Sequence, residues 1–446
     1  MTILPDLLTP MQSCFSNTPL GRSRAQLFIY TLLSITIPFT SSMTSNLLRS
    51  LVTLFGFSLK KPLYYRFMAS PTLPWKKLWS TVWRLIPSPI TDGYLILALD
   101  DCINTKVGKK IFACETVFDH AAKDNQSNYV WAQNFVCVGL LKMVKNRWAC
   151  LPLAFQFYIP LKTILAEKLN SKISGKVVTF KTKMEQSANM ILLIAKHFSS
   201  HPVLVVADSW FGNNGLYKLL KGQTDNSIYL LSRLRANNLL FDLPRAEDNM
   251  PRGRKRKYGV KLGNATELAN QFLSMATTLT INNLYGKPRD VLAYEQVFML
   301  KTLKCPVRVV WVYRKTQWIA LFSTDLNLSV EQMISYYGAR WKIESGFKEL
   351  KQEIGSQKSQ TRNAYAVTNH LQFCMMSVVL TWIYADQLKT DPQRRHKVKG
   401  RTSFAFSDIR RIMAEEALDY NFDCFCPKPG KPVEKAFIPM LLRMVA

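Results

Sequence analysis

Two runs of apolar residues, each closing on an aspartate, organise the middle of the chain. The first is "DGYLILALDDCI", from Asp92 to Ile103, and the second is "HPVLVVADSWFG", which reaches Asp208. Near-continuous apolar runs of this length predict strands buried on both faces. "NYVWAQNFVCVGLL" and "RWACLPLAFQFYI" predict two more strands between them. "KTKMEQSANMILLIAKHF" has the helical period instead, and "NNGLYKLLKG" predicts a short helix stopped by Gly222. Further on, "SIYLLSRLRANNLLF", "VRVVWVYRK" and "QWIALFSTD" read as strands. A helix follows from Ser329, and "YAVTNHLQFCMMSVVLTWIYADQL" predicts a long apolar core helix.

These patterns divide the chain into five regions. Residues 1–88 predict short helices, among them "TSNLLRSLV" capped by Thr44 or Ser45, in an N-terminal domain with possible DNA contact. Residues 89–225 hold the first group of buried strands, and 315–388 hold the second group with its helices. Between them, 226–314 reads as a largely β insertion carrying the basic stretch "PRGRKRKYGVK". Residues 389–446 are basic and irregular, then helical. The best membrane candidate, Leu27 to Phe39, is too short to span a bilayer and is interrupted by Pro38. It predicts a buried helix, and no membrane partner is expected.

Charge changes the picture. There are 59 Lys and Arg against 30 Asp and Glu, a net charge of +29, so a polyanion is the expected partner. Apolar residues make up 48% of the chain, enough for a real core and against a disordered protein. Nine cysteines lie scattered without paired CxxC knuckles, which argues against structural zinc and suits a reducing, cytoplasmic compartment. "CFC" at Cys424 and Cys426, and the pair Asp119 and His120, read as incidental or structural.

The candidate chemistry sits in "YYGARWKIESGFKELK", Tyr336 to Lys351. At roughly 100° per residue, Tyr337, Arg340, Glu344 and Lys351 fall within about 60° of one another. Ile343, Phe347, Leu350 and Ile354 form an apolar stripe beside them. An ordinary amphipathic helix with ion pairs gives the same wheel. The two strand-end aspartates add weight, because sites form at strand ends in open sheets flanked by helices. A carboxylate from each strand and one from the helix can hold two divalent cations for phosphodiester chemistry.

The order strand-Asp, strand-Asp, insertion, helix-Glu resembles DDE transposases. The helix is similar to the Tyr-x2-Arg-x3-Glu-x6-Lys signature of one large group of bacterial insertion-sequence transposases, matched by Tyr337, Arg340, Glu344 and Lys351. The resemblance covers about Asp92 to Leu388 and implies an α/β fold. That fold is a ribonuclease-H-like catalytic core interrupted by a largely β insertion, with helical N-terminal and C-terminal regions. It implies Asp100, Asp208 and Glu344 as the catalytic and metal-binding triad, with magnesium, or manganese in its place, as two ions. The implied partners are the DNA of element ends and target, gripped by Tyr337, Arg340 and Lys351. A dimer in the synaptic complex and association with the nucleoid are further expectations. "RGRKRKYG" also looks like members of the group, so Arg252, Arg254, Lys255, Arg256 and Lys257 are candidate DNA contacts. Trp318 stands near the position of a tryptophan that stacks beside a flipped base in hairpin-forming relatives; strand core is its other reading. Asp101 is a second choice for the first ligand. A ribonuclease-H-like nuclease without strand transfer, a transposase-derived DNA-binding protein, and a basic RNA-binding scaffold are the competing functions.

Overall fold

The computed structural model describes residues 3–119, 122, 124–166, 178–198, 200–223, 227–245, 255–315, 317–396 and 403–418. Five helices come first: α1 (Leu4–Gln12), α2 (Pro19–Thr36), α3 (Thr44–Phe55), α4 (Lys61–Met68) and α5 (Trp75–Arg84). Strands β1 (Leu95–Thr105), β2 (Cys114–Phe118), β3 (Tyr129–Val144) and β4 (Arg147–Tyr158) follow, then α6 (Leu161–Leu165) and α7 (Lys183–His197). β5 (Val203–Ala207), α8 (Asn214–Leu220), β6 (Ile228–Arg233), β7 (Leu239–Phe241), β8 (Lys261–Asn264) and α9 (Ala265–Phe272) come next. The chain continues with β9 (Thr277–Leu284), β10 (Lys287–Leu300), β11 (Cys305–Arg314) and β12 (Gln317–Ser323). Helices α10 (Val330–Ala339), α11 (Trp341–Lys348), α12 (Ala364–Gln387) and α13 (Phe406–Ala417) complete the described elements.

This is a mixed α/β architecture built on one large mixed sheet. Its strand order is β2-β3-β1-β5-β6-β12-β11-β10-β7-β8, with β4 on β3 and β9 on β10. β1 lies parallel to β5, and β5 parallel to β6, while β3 and β4 run antiparallel beside them. β6 stands at the start of the expected insertion, yet it bonds to β5 on one edge and to β12 on the other. One sheet therefore runs without a break through residues on both sides of 225/226 and 314/315.

Two local readings differ. "SIYLLSRLRANNLLF" is two strands, because the Arg235 backbone N–H donates to Asn238 Oδ1 at 2.7 Å and folds the chain into a turn. The β9–β10 hairpin was not foreseen. Its turn residues Tyr285 and Gly286 have φ of 58° and 82°, and a two-residue hairpin turn that needs positive φ at both positions favours glycine at the second.

Apolar packing ties the helices to the sheet. One cluster runs from α1–α5 through α12 to one face of β1 and β5, including Leu95, Leu97, Leu99, Val203, Val205 and Ala207. A second lies on the opposite face and joins Ile96, Ala98, Leu204 and Val206 to Met333, Ile334, Tyr336 and Ala339 of α10 and to Ile343. The predicted buried helix is α2, whose residues from Phe28 to Thr36 are buried. α12 is long and apolar enough to cross a membrane, but it is a core helix packed against α2, β4 and α13. Phe373 on α12 meets Phe28, Phe67 and Trp75. Asn369 accepts from Trp75 Nε1 at 2.7 Å and donates to the carbonyls of Met68 and Ser70, which docks α4 and α5 on α12.

α12 also buries His370, whose Nε2 lies 2.6 Å from the Ser42 carbonyl and is its donor. Burial, aided by the Lys106 charge, lowers its pKa from 6.5 to about 4. The unfolded chain takes up this proton below about pH 6.5, whereas the folded protein resists until about pH 4. Stability present above pH 6.5 is therefore lost as pH falls across that window, by about 3 kcal/mol from this group. Denaturant unfolding of wild type and His370→Gln at several pH values should show the slope in wild type and a flatter one in the variant.

Candidate active site

Side-chain alternation on β1 decides which aspartate faces which helix. Successive residues of a strand point to opposite faces. Asp100 continues the face of Ile96 and Ala98, towards α10 and α11, whereas Asp101 continues the face of Leu95, Leu97 and Leu99. Asp101 Oδ2 there pairs with Lys183 Nζ of α7 at 2.7 Å. Asp208, the first residue after β5, follows the face of Leu204 and Val206, and the parallel register sets Leu99 beside Ala207. Asp100 and Asp208 are therefore the next residues along two neighbouring strands, on one face.

The chain after Asp208 is fixed by a turn. Asp208 Oδ1 accepts the backbone N–H groups of Trp210 and Phe211, both at 3.0 Å. Its carbonyl accepts from Gly212 N–H and from Ser232 Oγ. A Cβ on Gly212 would lie 2.0 Å from Ser232 Oγ, so the close approach requires glycine. The cap of α8 is Asn213, whose Oδ1 accepts from Gly215 N–H. Asp208 is thus not the cap of that helix. Its Oδ2 has no hydrogen-bond partner among the described residues.

The third carboxylate enters from α11. Ser329 and Gln332 form a capping box that starts α10, and Arg340 links α10 to α11 with helical backbone angles. Arg340 is buried and bridges the acids: Nη1 lies 3.2 Å from Asp100 Oδ2, and Nη2 lies 3.4 Å from Glu344 Oε1. Its Nε is buried and has no hydrogen-bond partner among the described residues. Its guanidinium carbon stands 5.6 Å from the ring centroids of both Tyr337 and Trp341. Burial pushes the Asp100 carboxyl up to about 7; Arg340 opposes the shift, and the Asp208 and Asp101 charges add to it. Burial also raises Glu344, again against Arg340. Among the described residues, no three acidic, histidine or cysteine side chains stand close enough together to hold an ion as they are. The donor set still suits a divalent cation, because these are hard carboxylate oxygens that share one face and repel one another's charge.

Lys351 departs from the helical wheel. The helix after Lys348 widens into a π turn over Glu349–Glu353, where Ile354 N–H bonds to the Glu349 carbonyl. The extra residue per turn rotates Lys351, and its Nζ donates to the Ile103 carbonyl of β1 at 3.0 Å. Ile343, Leu350 and Ile354 are buried as the apolar stripe predicts, with Phe347 half-buried beside them.

Trp318 lies opposite Tyr313 in the β11–β12 pair and packs partly against the core. Lys255, Arg256 and Lys257 are exposed, while Arg252, Arg254, Cys424, Cys426 and His120 lie outside the described residues. Sequence reasoning missed a groove of about 970 Å³ between α10–α11 and β9–β12. Tyr337, Arg340 and the exposed Trp341 line it together with Arg233, Arg314 and Lys315. Cations at the ends of predicted strands, as in "LLSR" and "VYRK", were the available signal.

Two protein-family models match the chain. The family model "DDE superfamily endonuclease" matches residues 58–282, half of the chain, which include Asp100 and Asp208. The model "Archaeal putative transposase ISC1217" matches residues 294–390, which include Tyr337, Arg340, Glu344 and Lys351. That description is of an archaeal element, where the sequence resemblance pointed to a bacterial group. No curated protein matches the chain. The chain belongs to the DDE superfamily of endonucleases and is an enzyme of the DDE transposase type.

Proposed function

We propose that this protein cuts the ends of a mobile DNA element and joins the freed 3′ ends to target DNA. Asp100, Asp208 and Glu344 are the carboxylates that hold two magnesium ions, with manganese as a substitute. The observation that carries this reading is the placement of Asp100 and Asp208 on one face of neighbouring parallel strands, with Glu344 joined to Asp100 through Arg340. Such ions, when bound, lower the pKa of water and stabilise charge on the attacking and leaving oxygens of a phosphodiester.

The chain's own residues supply the rest. Arg340 neutralises Asp100 and Glu344 from a buried position between them. Tyr337 and Trp341 flank that guanidinium and hold its plane. Lys351 is a positioning residue, tying the helix to the end of β1. The exposed Lys255, Arg256 and Lys257 add to a surface of net charge +29 that attracts the DNA backbone. In this reading 89–225 and 315–388 form a ribonuclease-H-like core, 226–314 its β insertion, and 1–88 and 389–446 flanking regions. Two copies act as a synapsed pair on DNA.

The test uses DNA carrying the gene's own flanks, incubated with Mg²⁺, Mn²⁺ or EDTA. The expected result is cutting at element ends with either ion, none in EDTA, and joined products when a plasmid target is added. Cuts without joined products leave a nuclease, and binding without cuts leaves a DNA-binding relic.

A further inference from the structure

The face of β1 opposite Arg340 carries an arrangement that the reading above does not use. Lys183 opens α7 directly after its cap, Thr182. Its ammonium is fixed by Asp101 and lies 5.1 Å from the ring centroid of Tyr158 and 5.4 Å from that of Trp210. Trp210 is 44% exposed, although it follows Asp208 by only two residues. Its backbone N–H is held by the Asp208 carboxylate, and its ring stands edge-on to the buried Phe211 at 4.7 Å. Trp75, Trp311 and Trp382 give their indole N–H to interior acceptors. Trp210 Nε1 has no such partner among the described residues.

Trp210 is thus left part-exposed two residues from Asp208, where a DNA strand at the acids can reach it. A part-exposed aromatic ring with a lysine ammonium over it suits an unpaired nucleobase on its remaining surface: every base has a π face, and the cation meets the adjoining phosphate. The ammonium has three donors, of which Asp101 engages one. Because the turn ties Trp210 to Asp208, a base stacked on this ring has a fixed position relative to the cut.

We propose that Trp210 is a stacking platform for an unpaired DNA base next to the phosphate being cut, with Lys183 held by Asp101 to meet the neighbouring backbone. The proposal rests on the transposase reading, which places the scissile phosphate at the three acids.

The probes are a fluorescein-labelled oligo(dT), an abasic oligonucleotide of the same length, and a duplex of the same length, titrated in EDTA and followed by anisotropy. Trp210→Ala is expected to bind oligo(dT) roughly tenfold more weakly than wild type, and Trp210→Phe nearly as tightly as wild type. On the abasic strand and the duplex the three proteins should bind alike, because no unpaired base is present to stack. Subtracting the emission of Trp210→Phe from that of wild type should show a tryptophan signal quenched by oligo(dT). Equal binding of oligo(dT) by wild type and Trp210→Ala overturns the platform. An equal loss by Trp210→Ala on all three probes also overturns it, since that pattern reports charge or folding. The two readings fail separately. Unchanged oligo(dT) binding in a protein that still cuts element ends removes the platform alone, whereas a wild type that never cuts them removes the transposase reading through an assay that does not involve Trp210.

Discussion

Glu344→Gln and Asp208→Asn should each abolish metal-dependent cutting of element-end DNA while leaving DNA binding intact. Both changes swap a carboxylate for an amide of the same shape. Asn at 208 can still accept the N–H groups of Trp210 and Phe211, so the turn after β5 persists. Gln at 344 can still accept from Arg340, which keeps its contact with Asp100. What is lost is one negative oxygen ligand in each case. A positioned divalent ion supplies several kcal/mol to the transition state, so losing about 4 kcal/mol of that lowers the rate on the order of a thousandfold. Cleavage kinetics in Mg²⁺, set beside anisotropy with the same DNA in EDTA, separate the two quantities. Cutting by Glu344→Gln at the wild-type rate would remove Glu344 from the reaction, and a matched loss of binding would point to misfolding.

Arg410→Met is expected to be the most destabilising of the simple substitutions outside the acids. Arg410 is buried on α13 and donates to three carbonyls: Nε to Thr36, Nη2 to Ile35, both at 2.9 Å, and Nη1 to Glu353 at 2.6 Å. Ile35 and Thr36 close α2, and Glu353 closes the π turn after α11. The last carbonyls of a helix have no partner within it, and the negative end of its dipole favours a cation. One guanidinium therefore caps two helix ends at once. Methionine matches the volume but leaves two buried acceptors, the Ile35 and Thr36 carbonyls, and the part-buried Glu353 carbonyl without donors, at about 1–3 kcal/mol for each buried one before relaxation. A total loss of about 4 kcal/mol is the expected outcome by denaturant unfolding, with Arg410→Lys intermediate. Because Glu353 belongs to the turn that follows α11, cleavage should fall along with stability. A Tm unchanged in Arg410→Met would show that water can replace the guanidinium there.

Much of the site was legible in the chain because its spacing is local. The runs before Asp100 and Asp208 are buried strands, and Ser329 does start the helix that leads to Glu344. The resemblance favoured Asp100 over Asp101, but what each of the two side chains meets was not legible. Adjacent residues on a strand point to opposite faces, and only the packing of α10 on one face and α7 on the other gives each carboxylate its partner, Arg340 or Lys183. The contact of Lys351 was not legible either. An ideal wheel assumes unbroken α geometry, whereas the π turn at Glu349–Glu353 moves this residue round to the Ile103 carbonyl. Trp318 had two readings, base contact and strand core, because a strand side chain is directed by its sheet; it packs partly against the core.

The sequence by itself determined the periodic elements, the basic surface and the local order of tyrosine, arginine, glutamate and lysine, because these follow from near-neighbour geometry and composition. Tertiary structure alone decided that β6 joins β5 to β12 in one sheet and that Arg340 bridges carboxylates 240 and 4 residues away. It alone also set Trp210 and Lys183 together beside Asp208. Contacts between residues far apart in the chain depend on register and helix packing, and each is fixed only when the apolar faces on both sides of the sheet are buried together.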